Sequence, residues 1–134
     1  MSKSNIRIFI FLPLIMLISI ACSFSASTAK ISDAYMARDE AGNDRTDVFA
    51  PEDAFYCIVE LANAPDDTEV KASWYAVDVE GADPNTLIDE YALTTGDATL
   101  PFNLVNDTPW PVGKYKVDIS LNGEVKQTFE FSVQ

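Results

Sequence analysis

Residues 110–133, WPVGKYKVDISLNGEVKQTFEFSV, decide the fold. The first half of this stretch alternates polar residues with apolar ones at Tyr115, Val117, Ile119 and Leu121. A period of two is typical of a strand that buries one face. Asn122-Gly123 follows, and this pair readily adopts positive φ at both central positions of a type I′ hairpin turn. Beyond the turn one face again collects the apolar residues, so we predict a closing hairpin whose second strand buries Val125, Phe129, Phe131 and Val133.

Five further segments have strand-like patterns, and turn-forming residues separate them about every ten residues. They are residues 31–36, 55–61, 70–77, 87–93 and 100–104. Asp89-Glu90 in the middle of its segment indicates an edge strand protected by charge, and Pro101 suits an edge or bulge position. The mature chain has no sustained helical periodicity. The sequence therefore predicts an all-β fold, an antiparallel β-sandwich of about seven strands over residues 31–134.

The composition disfavours several classes of function. The chain has 134 residues, enough for one domain and a leader, and it has no histidine. Triad hydrolysis and most zinc chemistry are therefore disfavoured, and we expect no cofactor. Without Lys3 and Arg7 of the leader, 7 basic residues face 21 acidic ones, a net charge of −14. Such a surface repels phosphates, so nucleic acid is not an expected partner.

The first 30 residues have the pattern of an export signal. A basic start is followed by an apolar run, residues 8–21, that is too short for a transmembrane helix, so residues 1–21 are predicted to be a signal peptide. Residues 18–22, ISIAC, resemble a bacterial lipobox, which implies diacylation of Cys22 and a short tether over residues 22–30. Ser19 departs from the usual aliphatic residue of that motif. The alternative is an ordinary signal peptide cut near Ala26 or Ala29.

With the strands placed, residues 31–134 resemble an immunoglobulin-like domain. Cys57 lies on the second strand, Trp74 on the third, and Gly113–Val117 resembles a tyrosine corner at the start of the sixth. The resemblance implies that the Tyr115 hydroxyl bonds to the backbone of the preceding loop and that Trp74 anchors the core. Val117 stands where such domains place a second cysteine, so the inter-sheet disulfide is absent. Without that disulfide, the chain resembles the bacterial immunoglobulin-like sandwiches of secreted and lipid-anchored proteins.

Cys57 has two further interpretations beside that of a buried apolar thiol, namely a reactive nucleophile and an intermolecular disulfide. Trp74 has one besides that of core anchor, an exposed binding aromatic. A reactive thiol would need a histidine or a positive field to lower its pKa, and this acidic chain has no histidine. We therefore expect Cys57 to be a buried apolar thiol.

Two sets of residues are candidate binding sites. The first is an acidic loop with enough oxygen donors for calcium but no EF-hand spacing: Asp39, Glu40, Asn43, Asp44 and Asp47. The second is a set of aromatic residues that would form an exposed patch for a sugar, peptide or protein: Tyr56, Tyr75 and Trp110. The alternatives are a solvated turn for the first set, and for the second a Trp110 that caps the sandwich beside half-buried tyrosines.

Taken together, these patterns predict an exported, non-enzymatic lipoprotein. Its lipid would hold it to the cell membrane or the outer membrane, with the domain outside the cytoplasm. The domain would bind an envelope protein or serve as a structural module. The alternative function is a carrier of a small ligand or of calcium, through the acidic loop or the aromatic residues.

Overall fold

Eight β-strands account for most of residues 28–134, the part of the chain that the computed structural model describes. The strands are β1 (Lys30–Ala37), β2 (Val48–Phe49), β3 (Phe55–Ala62), β4 (Thr68–Val79), β5 (Thr86–Thr95), β6 (Ala98–Leu104), β7 (Gly113–Leu121) and β8 (Glu124–Val133). The predicted signal peptide, Cys22 and the tether as far as Ser27 lie outside the described residues. Within residues 28–134, no helix is long and apolar enough to cross a bilayer.

The strands form two sheets. One has the order β1-β3-β6 and the other the order β2-β8-β7-β4-β5. All neighbouring strands are antiparallel except β2 and β8, which are parallel. This arrangement confirms the predicted β-sandwich and adds one strand to the seven expected. The additional strand, β2, has two residues, and so short a segment shows no period in the sequence.

The core lies between the two sheets and contains the apolar face predicted for β7. Tyr115, Val117, Ile119 and Leu121 are all buried. In β8, Phe131 and Val133 are buried, but the prediction for Val125 was wrong, because 54% of this residue is exposed. Ile119 pairs with Gln127 while Ser120 pairs with Val125, so β8 has one extra residue between them. This bulge turns Val125 away from the buried face.

The hairpin turn between β7 and β8 is as predicted. Asn122 has φ of 49° and Gly123 has φ of 85°, the two positive values that a type I′ turn requires. The Asn122 backbone N–H donates to the Glu69 carbonyl at 2.9 Å, and the Asn122 side-chain oxygen accepts from the Glu69 N–H at 3.0 Å. These two bonds fix the tip of the hairpin to the beginning of β4.

The described chain enters the fold at the end of the sandwich that holds the β3–β4 loop. The Thr28 hydroxyl donates to the Asn63 carbonyl at 2.6 Å, and Ala29 packs against the core. The strand β1 begins at Lys30, one residue before the predicted boundary. The last three residues of the predicted tether therefore belong to the folded domain. The loop that carries Trp110 lies at the opposite end.

Candidate functional site

An aromatic cluster fills the end of the sandwich opposite the chain entry, and Phe55 is its centre. Phe55 is fully buried, and its ring centroid lies 4.8 Å from that of Trp110, 4.8 Å from Phe131 and 4.9 Å from Phe49. Tyr115 and Trp74 complete the set at 5.6 Å and 6.5 Å. These contacts join residues of β2, β3, β4, β7 and β8, so the cluster links the two sheets.

Trp110 caps this end of the sandwich and is only 8% exposed. Its ring stacks on Phe55, its indole N–H donates to the Asp53 carbonyl at 3.1 Å, and its backbone N–H donates to the Pro51 carbonyl at 2.7 Å. With its indole N–H and one ring face committed, Trp110 has little surface for a ligand. The structure thus places Trp110 in the position that the alternative interpretation assigned to it.

Tyr115 has the geometry of a tyrosine corner. Its ring is 2% exposed and stacks on Phe131 at 5.6 Å, while its hydroxyl donates to the Pro111 carbonyl at 2.5 Å. The bond ties the β6–β7 loop to the first residues of β7. The Tyr115 hydroxyl is protonated at neutral pH and can donate, and burial raises its pKa further.

Cys57 and Trp74 are both buried in the core. Trp74 is 2% exposed and lies edge-on to Phe131, with 6.0 Å between the ring centroids. Cys57 is a free, fully buried cysteine, and burial raises the pKa of its thiol to about 12. Because the thiolate is the nucleophilic form, a thiol with this pKa is unreactive at neutral pH. Val117, at the position of the missing second cysteine, is also fully buried.

Tyr56, Tyr75 and Trp110 do not come together, which corrects the prediction of one aromatic patch. Tyr56 is on β3 of the three-stranded sheet, and Tyr75 is on β4 of the five-stranded sheet. Both alternate with buried residues, so their side chains point away from the core on opposite sides of the sandwich. Tyr75 instead lies beside Lys116, whose ammonium is 4.8 Å from the ring centroid.

The acidic loop uses its carboxylates for its own structure. Asp39 accepts the backbone N–H groups of Asp44 at 2.8 Å and Asn43 at 3.1 Å, and these bonds lower the pKa of its carboxyl. The Asp44 carboxylate pairs with Arg38 at 3.2 Å. Glu40 is exposed, and the Asp47 carbonyl accepts the Ser132 N–H at 2.9 Å. Residues 28–134 contain no group of three or more acidic, cysteine or histidine residues that could hold a metal ion.

A cleft of about 310 Å³ lies between the free edges of β5 and β6, and we call it the edge cleft. Sequence analysis missed it. Its lining residues come from both strands: Asp89, Tyr91, Leu93, Leu100, Pro101, Phe102 and Asn103. Tyr91 is 61% exposed, and its ring lies edge-on to Phe102 at 6.4 Å between centroids. The one signal in the sequence was a tyrosine on a predicted edge strand, but the sequence does not show that Phe102 lies across the sandwich from it.

Two other hollows are less suited to binding. One, of about 410 Å³, lies on the outer face of the five-stranded sheet beside Val48, Lys114 and Glu130. The other, of about 190 Å³, lies between the β4–β5 loop and Trp110. Neither is lined by residues from two different unpaired strand edges, as the edge cleft is. The edge cleft is therefore the candidate functional site.

Comparison with known proteins identifies the fold. No protein-family model matches the chain, and no curated protein matches its sequence. An immunoglobulin-like protein from Pseudomonas aeruginosa has a similar structure, with a TM-score of 0.58 and 12% sequence identity over 82% of this chain and 99% of that one. A β-D-glucoside glucohydrolase from Trichoderma reesei gives a TM-score of 0.43 at 18% identity, over 81% of this chain and 19% of the enzyme. The protein has an immunoglobulin-like β-sandwich fold.

Proposed function

We propose that this protein is an exported, lipid-anchored envelope protein whose immunoglobulin-like domain binds a partner outside the cytoplasm. The observation that carries the proposal is the edge cleft, which lies along the side of a sandwich whose chain entry is at one end. Such a module could be fixed to a membrane through its N-terminus and still present the cleft. Cys22 lies six residues before Thr28, which limits the distance between them to about 20 Å.

Charge supports an anchor made of lipid. The chain after the proposed leader has a net charge of −14, so anionic headgroups repel it and electrostatic attraction cannot hold it to a membrane. Each buried CH₂ group of an acyl chain contributes roughly 0.8 kcal/mol, and two or more chains give a stable anchor. Acylation of Cys22 would therefore supply what the protein surface does not.

The buried cysteine and two hydrogen-bonded residues of the acidic loop support a non-enzymatic role. The only cysteine in residues 28–134 is buried with a pKa of about 12, and Asp39 and Asp44 in the acidic loop are hydrogen-bonded within that loop. Because the Asp39 and Asp44 carboxylates already have partners within the loop, the structure gives no support to a calcium carrier. A carrier that uses Tyr56, Tyr75 and Trp110 together has no geometric basis, since these residues lie apart.

The anchor is tested by detergent-phase partitioning and intact mass measurement of the protein from its own cells. We expect the wild-type protein in the detergent phase, beginning at Cys22 and carrying acyl mass. The Cys22→Ala variant should move to the aqueous phase, while the control variant Cys57→Ala should partition like the wild type. A mature chain that begins at Ser27 or Lys30 without acyl mass would contradict the lipid anchor.

A further inference from the structure

We infer that the edge cleft binds an extended, positively charged segment of a partner protein, which adds to the three-stranded sheet as a strand beside β6. This inference deepens the proposed function, because it rests on the domain being a binding module. It does not depend on the lipid anchor.

The cleft exists because the two sheets have different widths. Asp89, Tyr91 and Leu93 of β5 pair with residues of β4 whose side chains are buried, and so they lie on the inward face of the five-stranded sheet. In the opposite sheet β6 is the last strand on this side. Tyr91 therefore projects inward and yet is 61% exposed, since no strand beside β6 covers it.

The backbone of β6 offers hydrogen bonds along this uncovered edge. Pro101 pairs with Ile58 of β3 although proline has no N–H, and a paired strand accepts proline where its nitrogen faces away from the neighbour. The backbone groups of Thr99 and Asn103, two residues to either side, then face the free edge as well. Their N–H groups and the carbonyl of Pro101 remain for an added strand, which is the usual mode of β-augmentation.

The charge around the cleft selects the occupant. Residues 72–113, which include β5 and β6, contain seven acidic residues and no lysine or arginine. No ion pair within residues 28–134 involves either strand, and the Asp89 carboxylate accepts only the Glu90 N–H at 2.9 Å. This local excess of negative charge would attract lysine or arginine side chains on an added strand. A second copy of this chain would bring another net charge of −14 and be repelled.

The shape of the cleft defines the segment further. The strand β6 has seven residues, so the complementary segment would have about five to seven. Alternate side chains of an added strand point inward, where Tyr91, Leu93 and Leu100 line the cleft, and these should be aliphatic. The side chains between them should be lysine or arginine. The occupant is thus an alternating cationic and aliphatic strand.

The test measures binding of a fluorescent seven-residue peptide of alternating lysine and valine to the detergent-purified full chain. We expect saturable binding that weakens as salt is added. Methylating the peptide nitrogens along one edge should weaken binding about tenfold, because strand addition loses those hydrogen bonds. A peptide in which glutamate replaces lysine should not bind.

Three variants of the protein locate the site. Tyr91→Ser should weaken binding about tenfold by removing the aromatic contact, and Asp89→Lys should weaken it at least as much. Glu40→Lys makes the same change in net charge on a distant exposed loop and should alter binding less than about twofold. Thermal melts check that each variant is folded.

Equal losses in Asp89→Lys and Glu40→Lys, undiminished binding of the methylated peptide, or no binding at millimolar peptide would each overturn the inference. None of these results would refute the broader proposal of an anchored binding module, which a partner bound through another face would still satisfy. Conversely, an unacylated mature protein would refute the anchor and leave the peptide binding measurement unaffected.

Discussion

Replacing Tyr115 with phenylalanine removes one hydroxyl group and leaves the aromatic ring in place. In the wild-type protein that hydroxyl donates to the Pro111 carbonyl at 2.5 Å, while the ring stacks on Phe131 and lies 5.6 Å from Phe55. The ring contacts should survive the substitution. The loss is therefore that of a single, partly buried hydrogen bond between the β6–β7 loop and β7.

Such a bond contributes about 0.5–1.5 kcal/mol to the free energy of unfolding. For a domain of roughly 100 residues, each 1 kcal/mol corresponds to about 4–8 °C in Tm. We therefore expect Tyr115→Phe to melt several degrees below the wild type with an unchanged circular dichroism spectrum. Urea denaturation should show a lower midpoint at the same m value, because the folded surface does not change.

Tyr75→Phe is the matched control. It removes the same atom from a tyrosine on the outer face of β4, and that hydroxyl has no hydrogen-bond partner within residues 28–134. Its Tm should stay close to that of the wild type. If Tyr115→Phe melted with the wild type, or if both variants lost the same amount, the tyrosine corner would not be a stabilising feature.

Three other predictions concern the core and the acidic loop. Cys57 should resist thiol reagents until the protein unfolds. Burial raises the pKa of its thiol from the ordinary value of 9.0 to about 12, so its contribution to the free energy of unfolding is complete below pH 9 and is lost between pH 9 and 12. The loss has a slope of about 1.4 kcal/mol per pH unit, which urea titrations of Cys57→Ala should lack. Phe55→Ala should cost about 3–5 kcal/mol, and half-buried Phe129→Ala less; equal losses would argue against Phe55 as the centre of the cluster. Backbone N–H groups lower the pKa of Asp39, so its contribution to the free energy of unfolding is present above pH 3.8 and is lost below it. Asp39→Asn should therefore lose less stability in acid than the wild type does. Millimolar calcium should leave the wild-type melt unchanged.

Local patterns in the sequence predicted the local structure well. The alternation in β7, the positive φ of Asn122 and Gly123, and the edge position of β5 each depend on residues close together in the chain. The Tyr115 hydroxyl bond spans only four residues, and a short motif was enough to predict it.

Features that depend on long-range pairing were not predicted. Tyr56 and Tyr75 belong to consecutive long strands, but whether such strands lie in one sheet or in two is a property of the whole sandwich. The burial of Trp110 depends on Phe55 and Asp53, more than fifty residues earlier in the chain. The bulge near Lys126 turns Val125 to the outer face, because one extra residue reverses the inward and outward positions of the side chains before it. The order of apolar residues in the sequence does not show this extra residue.

The edge cleft is the clearest case of this limit. Each of its strands was predicted, and each was assigned to an edge or a bulge, yet the cleft arises from the difference between a five-stranded and a three-stranded sheet. The widths of two facing sheets are set by the pairing of every strand. For this reason the sequence alone does not predict that Tyr91 lines a cleft.

Site-specific photocrosslinking in intact cells tests most directly the claim that this domain binds a partner through the edge cleft. A photoreactive residue would replace Asn103 on the free edge of β6, with Glu40 on the distant acidic loop as the control position. We expect a discrete crosslinked product from position 103 alone, mapped by mass spectrometry to a segment of alternating basic and aliphatic residues. No product at position 103, or the same product from both positions, would contradict it.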